Sequence, residues 1–132
     1  VSDAGTPAIS DPGALLVQAV HAAKLRVIPI PGATAVSTAL SAAGLNETRF
    51  LFYGFLPNKS AARCTVIQSL IDHPYALAFY EAPHRIVECV EDLCDVLGGE
   101  RQIILARELT KLFETIHSCR LSEAQAWLLS DS

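Results

Sequence analysis

The chain has 132 residues, of which 51% are hydrophobic and 18% are charged, a balance that supports a packed core and excludes global disorder. Its net charge of −4 argues against binding nucleic acid by bulk positive charge, although local basic patches remain (Lys59 with Arg63, or Arg85 with Arg107 and Lys111). No apolar run is long enough to span a membrane and no secretion leader opens the sequence, so we expect a cytoplasmic protein.

The first third of the chain predicts two helices and one strand. A turn-rich run, residues 2–13, follows Val1, which we interpret as the end of a buried strand. Asp11 then predicts a helix start, with Asp11 as the N-cap and a proline at the first helical position. A β-branched strand is predicted at residues 25–30, and a helix rich in small residues at residues 34–43.

From residue 50 onward, predicted strands and helices alternate. Apolar periodicity and glycine or proline punctuation define these elements, and a capping box at Ser122 precedes the last helix. The predicted strands span residues 50–54, 76–81, 102–107 and 114–119, and the predicted helices span residues 60–72 and 83–97. This alternation implies a mainly parallel α/β arrangement covered on both faces. No strand follows the last helix, so we expect this sheet to be incomplete.

The cysteines and histidines do not indicate a metal site. The four cysteines form no CxxC pair and show no metal-ligand spacing, which predicts reduced thiols. We interpret His21, His73 and His117 as structural, because none has a second ligand at a useful spacing.

Residues 1–13, VSDAGTPAISDPG, carry the densest chemical signal. Such a loop between a strand and a helix places backbone N–H groups and short polar side chains at the carboxyl edge of a sheet, where ligands bind. Two carboxylates, Asp3 and Asp11, disfavour phosphate and suit a ligand with hydroxyl, amine or sulfonium groups. Alternatively, both carboxylates only cap backbone donors. A second loop, PGATA at residues 31–35, ends the next predicted strand and favours a shared pocket.

Seven motifs follow one another along the chain. They are SDAGTP (2–7), SDPG (10–13), PG (31–32), SAAG (41–44), GFLP (54–57), FYEAPHR (79–85) and ARELTK (106–111). In this order they resemble the ribosomal RNA small subunit methyltransferase I family, and the resemblance covers nearly the whole chain. It implies an enzyme that uses S-adenosylmethionine to methylate the ribose 2′-hydroxyl of a cytidine in 16S rRNA.

The resemblance also implies a fold and a division into domains. The expected fold is α/β, with a two-domain architecture like that of the tetrapyrrole methylases. Residues 1–47 would be part of an N-terminal parallel-sheet domain that binds the cofactor, and residues 48–132 most of a C-terminal mixed-sheet domain. Members of the family also have an earlier N-terminal segment and a C-terminal Gly-Glu strand, so we expect this chain to be a fragment.

The same resemblance implies the cofactor site. Asp3 and Thr6 from the first loop, with Thr34 and Ala35 from the second, would line the S-adenosylmethionine pocket. Tyr80 would close over the adenosine, in a cleft between the two domains.

Methyl transfer to a ribose hydroxyl needs alignment of the reacting atoms and removal of a proton from a poorly acidic alcohol. We place the substrate side at residues 79–85 and name as catalytic candidates Glu81, Arg85, Glu108 and Lys111, with no general base assigned. His84 and Glu114 are further acid/base candidates, and Lys59 and Arg107 further phosphate ligands. Simpler interpretations stay open: Glu81 caps the next helix, and Arg107 and Glu108 form a structural ion pair. His84, Arg85 and Glu114 would then be surface residues.

Two other functions are compatible with these residues. A tetrapyrrole or corrin precursor methyltransferase would use the same cofactor, and the same cations would bind substrate carboxylates, although the motifs at 79–85 and 106–111 favour the RNA enzyme. A non-catalytic adenosine-nucleotide-binding domain would use Asp3 and Thr6 without turnover. The expected partners are 16S rRNA in the small ribosomal subunit and a second copy of the chain, which the apolar residues 50–56 would contact. No membrane or metal partner is expected.

Overall fold

The computed structural model describes residues 5–131, which form five α-helices and four β-strands. In chain order these are α1 (Ala14–Ala22), α2 (Ala35–Ser41), β1 (Phe50–Phe55), α3 (Ser60–Ser69), β2 (Ala76–Tyr80), α4 (Ile86–Leu97), β3 (Gln102–Arg107), β4 (Thr115–Arg120) and α5 (Leu121–Ser130). The four strands predicted from residue 50 onward are confirmed, each within one residue at either end. The expected α/β fold class is therefore confirmed.

The described strands pair in two separate two-stranded sheets. β1 lies parallel to β2, with a bulge between Phe52 and Gly54. β3 lies antiparallel to β4, with Gln102 opposite Arg120. The prediction of mainly parallel strands is therefore wrong for β3 and β4. Residues 108–114 are too short to form the crossover that parallel strands need, so the chain reverses as a hairpin.

A cavity of about 600 Å³ lies between β2 and β3. It is lined by consecutive residues of each strand, from Ala76 to Tyr80 and from Gln102 to Ala106, and by the apolar face of α4. Successive side chains of a strand point to opposite faces of its sheet, so a cavity that meets all of them runs along the edge of the strand. The facing edges of β2 and β3 are thus unpaired among the described residues.

The core is centred on α4, which packs between α3 and α5. Val90 and Leu93 of α4 are buried, and they lie with Ile67 of α3 and Leu121 of α5 in the interior. Gly98 ends α4 with a φ of 92°, a left-handed conformation that glycine adopts without strain, as the sequence predicted.

The N-terminal third differs from its prediction. No strand forms at residues 25–30 of the described chain, where Leu25, Ile28 and Ile30 are 63%, 63% and 76% exposed. A strand requires a hydrogen-bonded neighbour, and none of the described segments pairs with this one. Val1, the predicted end of a preceding strand, lies outside the described residues.

Two helix starts were also predicted wrongly. Gly13, and not Asp11, is the N-cap of α1, and no side chain caps it. α4 begins at Ile86 instead of residue 83. The preceding residues form a turn, in which the N–H of Arg85 donates to the carbonyl of Ala82 at 3.0 Å.

The capping box predicted at Ser122 is shifted by two residues. Arg120 is the N-cap of α5, and Glu123 Oε1 accepts a hydrogen bond from the Arg120 N–H at 3.4 Å. The predicted helices at residues 34–43 and 60–72 are confirmed as α2 and α3, which are shorter. Within residues 5–131, no helix is long and apolar enough to cross a membrane.

Candidate functional site

The two polar loops of the N-terminal region lie side by side. Thr6 Oγ1 donates a hydrogen bond to the carbonyl oxygen of Ala33 at 3.0 Å. Gly5, with a φ of 80°, approaches the same carbonyl, which would lie 3.8 Å from a Cβ added there. The sequence predicted a shared pocket for these two loops. The Thr6 bond shows that the loops are in contact, and Asp3 lies outside the described residues.

The first loop also lies against β1 and holds an unpaired carboxylate oxygen. Gly54, at the bulge in β1, has a φ of 91°, and a Cβ there would lie 3.0 Å from Ser10 Oγ. Asp11 Oδ2 is shielded from solvent and accepts no hydrogen bond from the described residues. A buried polar atom without a partner is uncommon, so this oxygen is a candidate contact for a ligand.

The second loop leads directly into α2. Thr34 is the N-cap, and its carbonyl accepts hydrogen bonds from Ser37 Oγ at 3.2 Å and Thr38 Oγ1 at 2.8 Å. The Thr34 side chain forms no capping bond, and Ala35 is the first helical residue. The start of α2 is therefore fixed through backbone and neighbouring hydroxyl groups.

Tyr80 joins the end of β2 to the start of α2. Its hydroxyl oxygen accepts a hydrogen bond from the Val36 N–H at 3.1 Å. Its ring packs edge-to-face against the rings of Phe52 and Phe55, with centroids 4.8 Å and 5.7 Å apart. Tyr80 thus lies beside Ala35, and both residues line the cavity of about 600 Å³. The predicted cofactor pocket requires these two residues to be neighbours.

Glu81 and Arg85 form one cluster, as predicted. The Glu81 side chain is 5% exposed, and its Oε1 lies 3.3 Å from Arg85 Nε in an ion pair. The same oxygen accepts a hydrogen bond from the Ala82 N–H at 2.8 Å, so Glu81 also caps the turn before α4. Arg85 Nη1 donates to Asn58 Oδ1 in the β1–α3 loop. Glu81 therefore orients Arg85, and His84 beside it is exposed.

A buried thiol lies beneath this cluster. Cys89 is 2% exposed. Burial, followed by the negative charge of the Glu81 carboxylate, raises the pKa of the Cys89 thiol from 9.0 to about 12. A thiol with this pKa stays protonated at neutral pH, which excludes Cys89 as a nucleophile.

Glu108 and Lys111 lie in the β3–β4 loop, residues 108–114, and pair with each other. Lys111 Nζ is 3.2 Å from Glu108 Oε2, and both side chains face solvent. Glu108 and Thr110 have φ values of 53° and 65°, a rare conformation for residues other than glycine. Glu114 Oε2 accepts a hydrogen bond from the Thr110 N–H at 2.6 Å and closes the loop. No ion pair among the described residues links this pair to the Glu81–Arg85 cluster.

The alternative ion pair between Arg107 and Glu108 is wrong. Arg107 Nη2 pairs with Asp131 beyond α5, and its guanidinium carbon lies 5.3 Å from the centre of the Trp127 ring. Neighbouring side chains of a strand point to opposite faces, so Arg107 faces α5 while Glu108 turns into the loop. We therefore interpret Arg107 as a structural residue.

The basic patch of Lys59 with Arg63 is also wrong, because Arg63 is fully buried and only Lys59 is exposed. Arg63 Nε lies 2.7 Å from Asp92 Oδ2, and its Nη2 lies 2.9 Å from Glu88 Oε1. Burial acts to lower the pKa of Arg63, but the hydrogen bond and charge of Asp92 outweigh it and raise the pKa. Arg63 lies four residues before Ile67, which is on the apolar side of α3. Residues four apart lie on one face of a helix, so this spacing was the sequence signal for the burial of Arg63.

The chain is similar to known proteins that are named as methyltransferases. The family model for Tetrapyrrole (Corrin/Porphyrin) Methylases matches residues 1–125. A Pseudomonas aeruginosa protein named "Ribosomal RNA small subunit methyltransferase I" is 54% identical over 132 residues, which are 100% of this chain and 47% of that protein. Its Vibrio cholerae namesake is 53% identical over 131 residues, which are 99% of this chain and 46% of that protein. This chain thus spans about half the length of these relatives.

A solved structure, that of the methyltransferase CobJ, shares the fold. It superimposes with a TM-score of 0.70 at 22% sequence identity, over 96% of this chain and 58% of CobJ. At this identity the likeness concerns the fold alone.

Proposed function

Because this chain belongs to the tetrapyrrole (corrin/porphyrin) methylase family, we propose that its protein transfers a methyl group from S-adenosylmethionine to the ribose 2′-hydroxyl of a cytidine in 16S rRNA. The observation that carries this proposal is the 54% identity, along the whole chain, to a relative named as a ribosomal RNA small subunit methyltransferase. The chain covers only about half of that relative, so activity is assigned to the full-length protein.

The residues of the two joined loops fit the proposed cofactor. Thr6 and Asp3 from the first loop would hold S-adenosylmethionine, together with Thr34 and Ala35 from the second and Tyr80 from β2. The shielded Asp11 Oδ2, which has no donor among the described residues, suits a ligand with hydroxyl, amine or sulfonium groups. When bound, the cofactor supplies an electrophilic methyl group on a good leaving group.

The substrate side of the proposed site is the carboxyl end of β2 and the loops near it. Arg85, which Glu81 and Asn58 hold in its orientation, would bind an RNA phosphate. The exposed Lys59 and Lys111 would add positive charge. These groups act by positioning the ribose hydroxyl, which accounts for much of the rate of such transfers. Glu81 and Glu108 remain acid/base candidates, and we assign no general base.

We place the cofactor side in residues 1–47 and the substrate side in residues 48–132. The proposed partner is the small ribosomal subunit, so the proposed location is the cytoplasm. A homodimer through the face of β1 is part of the same proposal. Phe50, Tyr53 and Phe55 on this strand are 43%, 43% and 51% exposed, and exposed apolar side chains of this kind favour a contact.

A tetrapyrrole methyltransferase is the second candidate, and the description of the matching family favours it. Arg85, Lys59 and Lys111 would then bind substrate carboxylates. A non-catalytic adenosine-binding domain is the weaker alternative, because both named relatives are methyltransferases.

Incubation of the full-length protein with methyl-labelled S-adenosylmethionine and small subunits from cells that lack the enzyme tests the proposal. We expect labelled 2′-O-methylcytidine in 16S rRNA, lost in Asp3→Ala, reduced in Thr6→Val and unchanged in Glu91→Ala, a variant of an exposed carboxylate on α4. Cofactor binding without transfer to RNA would reject the RNA substrate and favour a tetrapyrrole. Absence of cofactor binding would reject the whole proposal.

A further inference from the structure

Arg63, on α3, is the most deeply buried charged side chain of the described residues, with no exposed surface. Its Nε and Nη2 face the carboxylates of Asp92 and Glu88 at 2.7 Å and 2.9 Å. Its Nη1 points elsewhere and donates to the carbonyl oxygens of Pro57 and Asn58 at 3.4 Å and 3.3 Å. Arg63, on α3, therefore binds α4 and the backbone of the β1–α3 loop, residues 56–59, at the same time.

The same cluster fixes the far end of this loop. Both carboxylate oxygens of Asp92 accept a hydrogen bond from the hydroxyl of Ser60, the first residue of α3, at 3.0 Å and 2.9 Å. Leu56, the first residue of the loop, lies in the core and is only 3% exposed. Residues 56–59 are thus held at both ends and at two carbonyls between them.

This loop carries groups of the proposed substrate side. The Asn58 carbonyl is bound by Arg63, and the Asn58 side chain accepts a hydrogen bond from Arg85. Arg85 Nε lies 3.3 Å from Glu81, without an aligned acceptor among the described residues. Asn58 is therefore the hydrogen-bonded partner that fixes the end of the Arg85 guanidinium group.

We propose that Arg63 is a positioning residue for the methyl-transfer site: it holds the backbone of residues 56–59 so that Asn58 keeps Arg85 in place to bind the RNA backbone. This inference rests on the proposed function, because it takes Arg85 as a substrate contact. A planar guanidinium group suits the role, since its donors diverge in one plane and reach the carboxylates and the carbonyls together. The competing interpretation is that Arg63 only stabilises the packing of α3 on α4.

Kinetics of the full-length protein separate these interpretations. In Arg63→Met we expect the KM for small ribosomal subunits to rise about tenfold, because small misplacements of a substrate-holding group are costly. The KM for S-adenosylmethionine should stay unchanged. Ala124→Gly is the matched control, because it also removes a buried side chain, from α5, but contacts no carbonyl of the loop and does not line the cavity. It should lower the melting temperature and leave both KM values unchanged.

The route through Asn58 is tested by a double-mutant cycle. If Arg63 acts through Asn58, the variant with both Arg63→Met and Asn58→Ala should show the same rise in KM as either change alone. Additive effects, or a KM in Arg63→Met no higher than in Ala124→Gly, would overturn the proposal. Arg63→Lys serves if Arg63→Met does not fold, because a lysine keeps the charge but cannot hold the carboxylates and both carbonyls together.

A second readout does not depend on the reaction. Release of residues 56–59 should speed tryptic cleavage after the exposed Lys59 in native Arg63→Met, relative to wild type and to Ala124→Gly. The fragments are mapped by mass spectrometry. If Arg63→Met is cleaved faster but the wild-type protein does not methylate RNA, the proposed function is rejected. Arg63 then remains the residue that holds the loop. Equal cleavage in all three proteins would reject the loop contact itself.

Discussion

At the scale of single residues, one hydrogen bond connects the two sides of the candidate site. The Tyr80 hydroxyl, at the end of β2, accepts from the Val36 N–H in the first turn of α2. The first N–H groups of a helix have no partner inside the helix, so an external acceptor there fixes the helix in place. The position of α2 relative to β2, and with it the proposed cofactor pocket, depends on this contact.

Removal of this hydroxyl should therefore weaken both folding and the pocket. For Tyr80→Phe we expect the free energy of unfolding to fall by about 1 kcal/mol, because one N–H loses its acceptor while the ring stays. Under the proposed function, S-adenosylmethionine should also bind more weakly. Urea unfolding and calorimetric titration measure the two effects. Tyr53→Phe, on the half-exposed part of β1, is the control, and equal behaviour of the two variants would contradict this role of Tyr80.

The raised pKa of Cys89 makes a prediction about stability at high pH. The unfolded thiol loses its proton near its ordinary pKa of 9.0, whereas the folded thiol keeps it up to a pKa of about 12. Between these values the folded state binds more protons than the unfolded state, so this group makes the protein less stable as the pH rises. The loss amounts to roughly 1.4 kcal/mol per pH unit at its steepest.

Substitution of the thiol should remove that loss. We expect the unfolding free energy of Cys89→Ala to fall less steeply between pH 9 and 10.5 than that of wild type, measured by urea unfolding at each pH. Val90→Ala, which removes buried atoms from the neighbouring residue of α4 but no titratable group, should follow the wild-type slope. Parallel curves for wild type and Cys89→Ala would show that the buried thiol does not titrate as described.

At the scale of elements, the sequence predicted best where burial is periodic. The apolar stripe of α4 and the apolar run of β3 depend on local spacing, and both elements form as expected. The strand at residues 25–30 was predicted from composition alone, but strands need a partner, which local sequence does not supply. Helix starts failed for a similar reason. Asp11, as a good cap residue, predicted a bond that the loop geometry does not form.

The contacts of the candidate site likewise divide into those expected before the structure and those that only the structure shows. The family resemblance implied that Thr6, Ala35 and Tyr80 line one pocket. In the structure Thr6 is hydrogen-bonded to Ala33 and Tyr80 to Val36, on either side of Ala35. The sequence could not find the Asn58–Arg85 bond or the burial of Arg63, because these depend on how α3 packs on α4. Long-range pairing of polar groups is set by tertiary structure.

The start of α5 offers a direct test of the corrected cap. Glu123, and not Ser122, makes the capping contact with residue 120, so Glu123→Ala should lower the free energy of unfolding by roughly 0.5–1 kcal/mol. Ser122→Ala should leave it nearly unchanged, because Ser122 is exposed. Denaturant unfolding followed by far-ultraviolet circular dichroism measures both. A larger loss in Ser122→Ala than in Glu123→Ala would restore the box predicted from the sequence.

At the scale of the whole molecule, much apolar surface lacks cover. The facing edges of β2 and β3 are unpaired around the cavity of about 600 Å³. Leu15 and Leu16 on α1 are 82% and 70% exposed, and Leu112 and Phe113 in the β3–β4 loop are 89% and 77% exposed. Exposed apolar patches and open strand edges are sites where further chain packs. The relatives have about twice the length of this chain, so they contain enough further chain for such packing.

We therefore expect the full-length protein to be more stable than residues 1–132 alone. Cover over the β2 and β3 edges and over α1 would bury apolar area, and each Å² of it contributes about 25 cal/mol. Thermal unfolding should show a higher melting temperature for the longer chain. Residues 1–132 alone should bind a fluorescent apolar dye and self-associate as concentration rises. Equal melting temperatures, with no dye bound by the shorter chain, would show that the open edges and exposed leucines need no further cover, and that residues 1–132 form an independent folding unit.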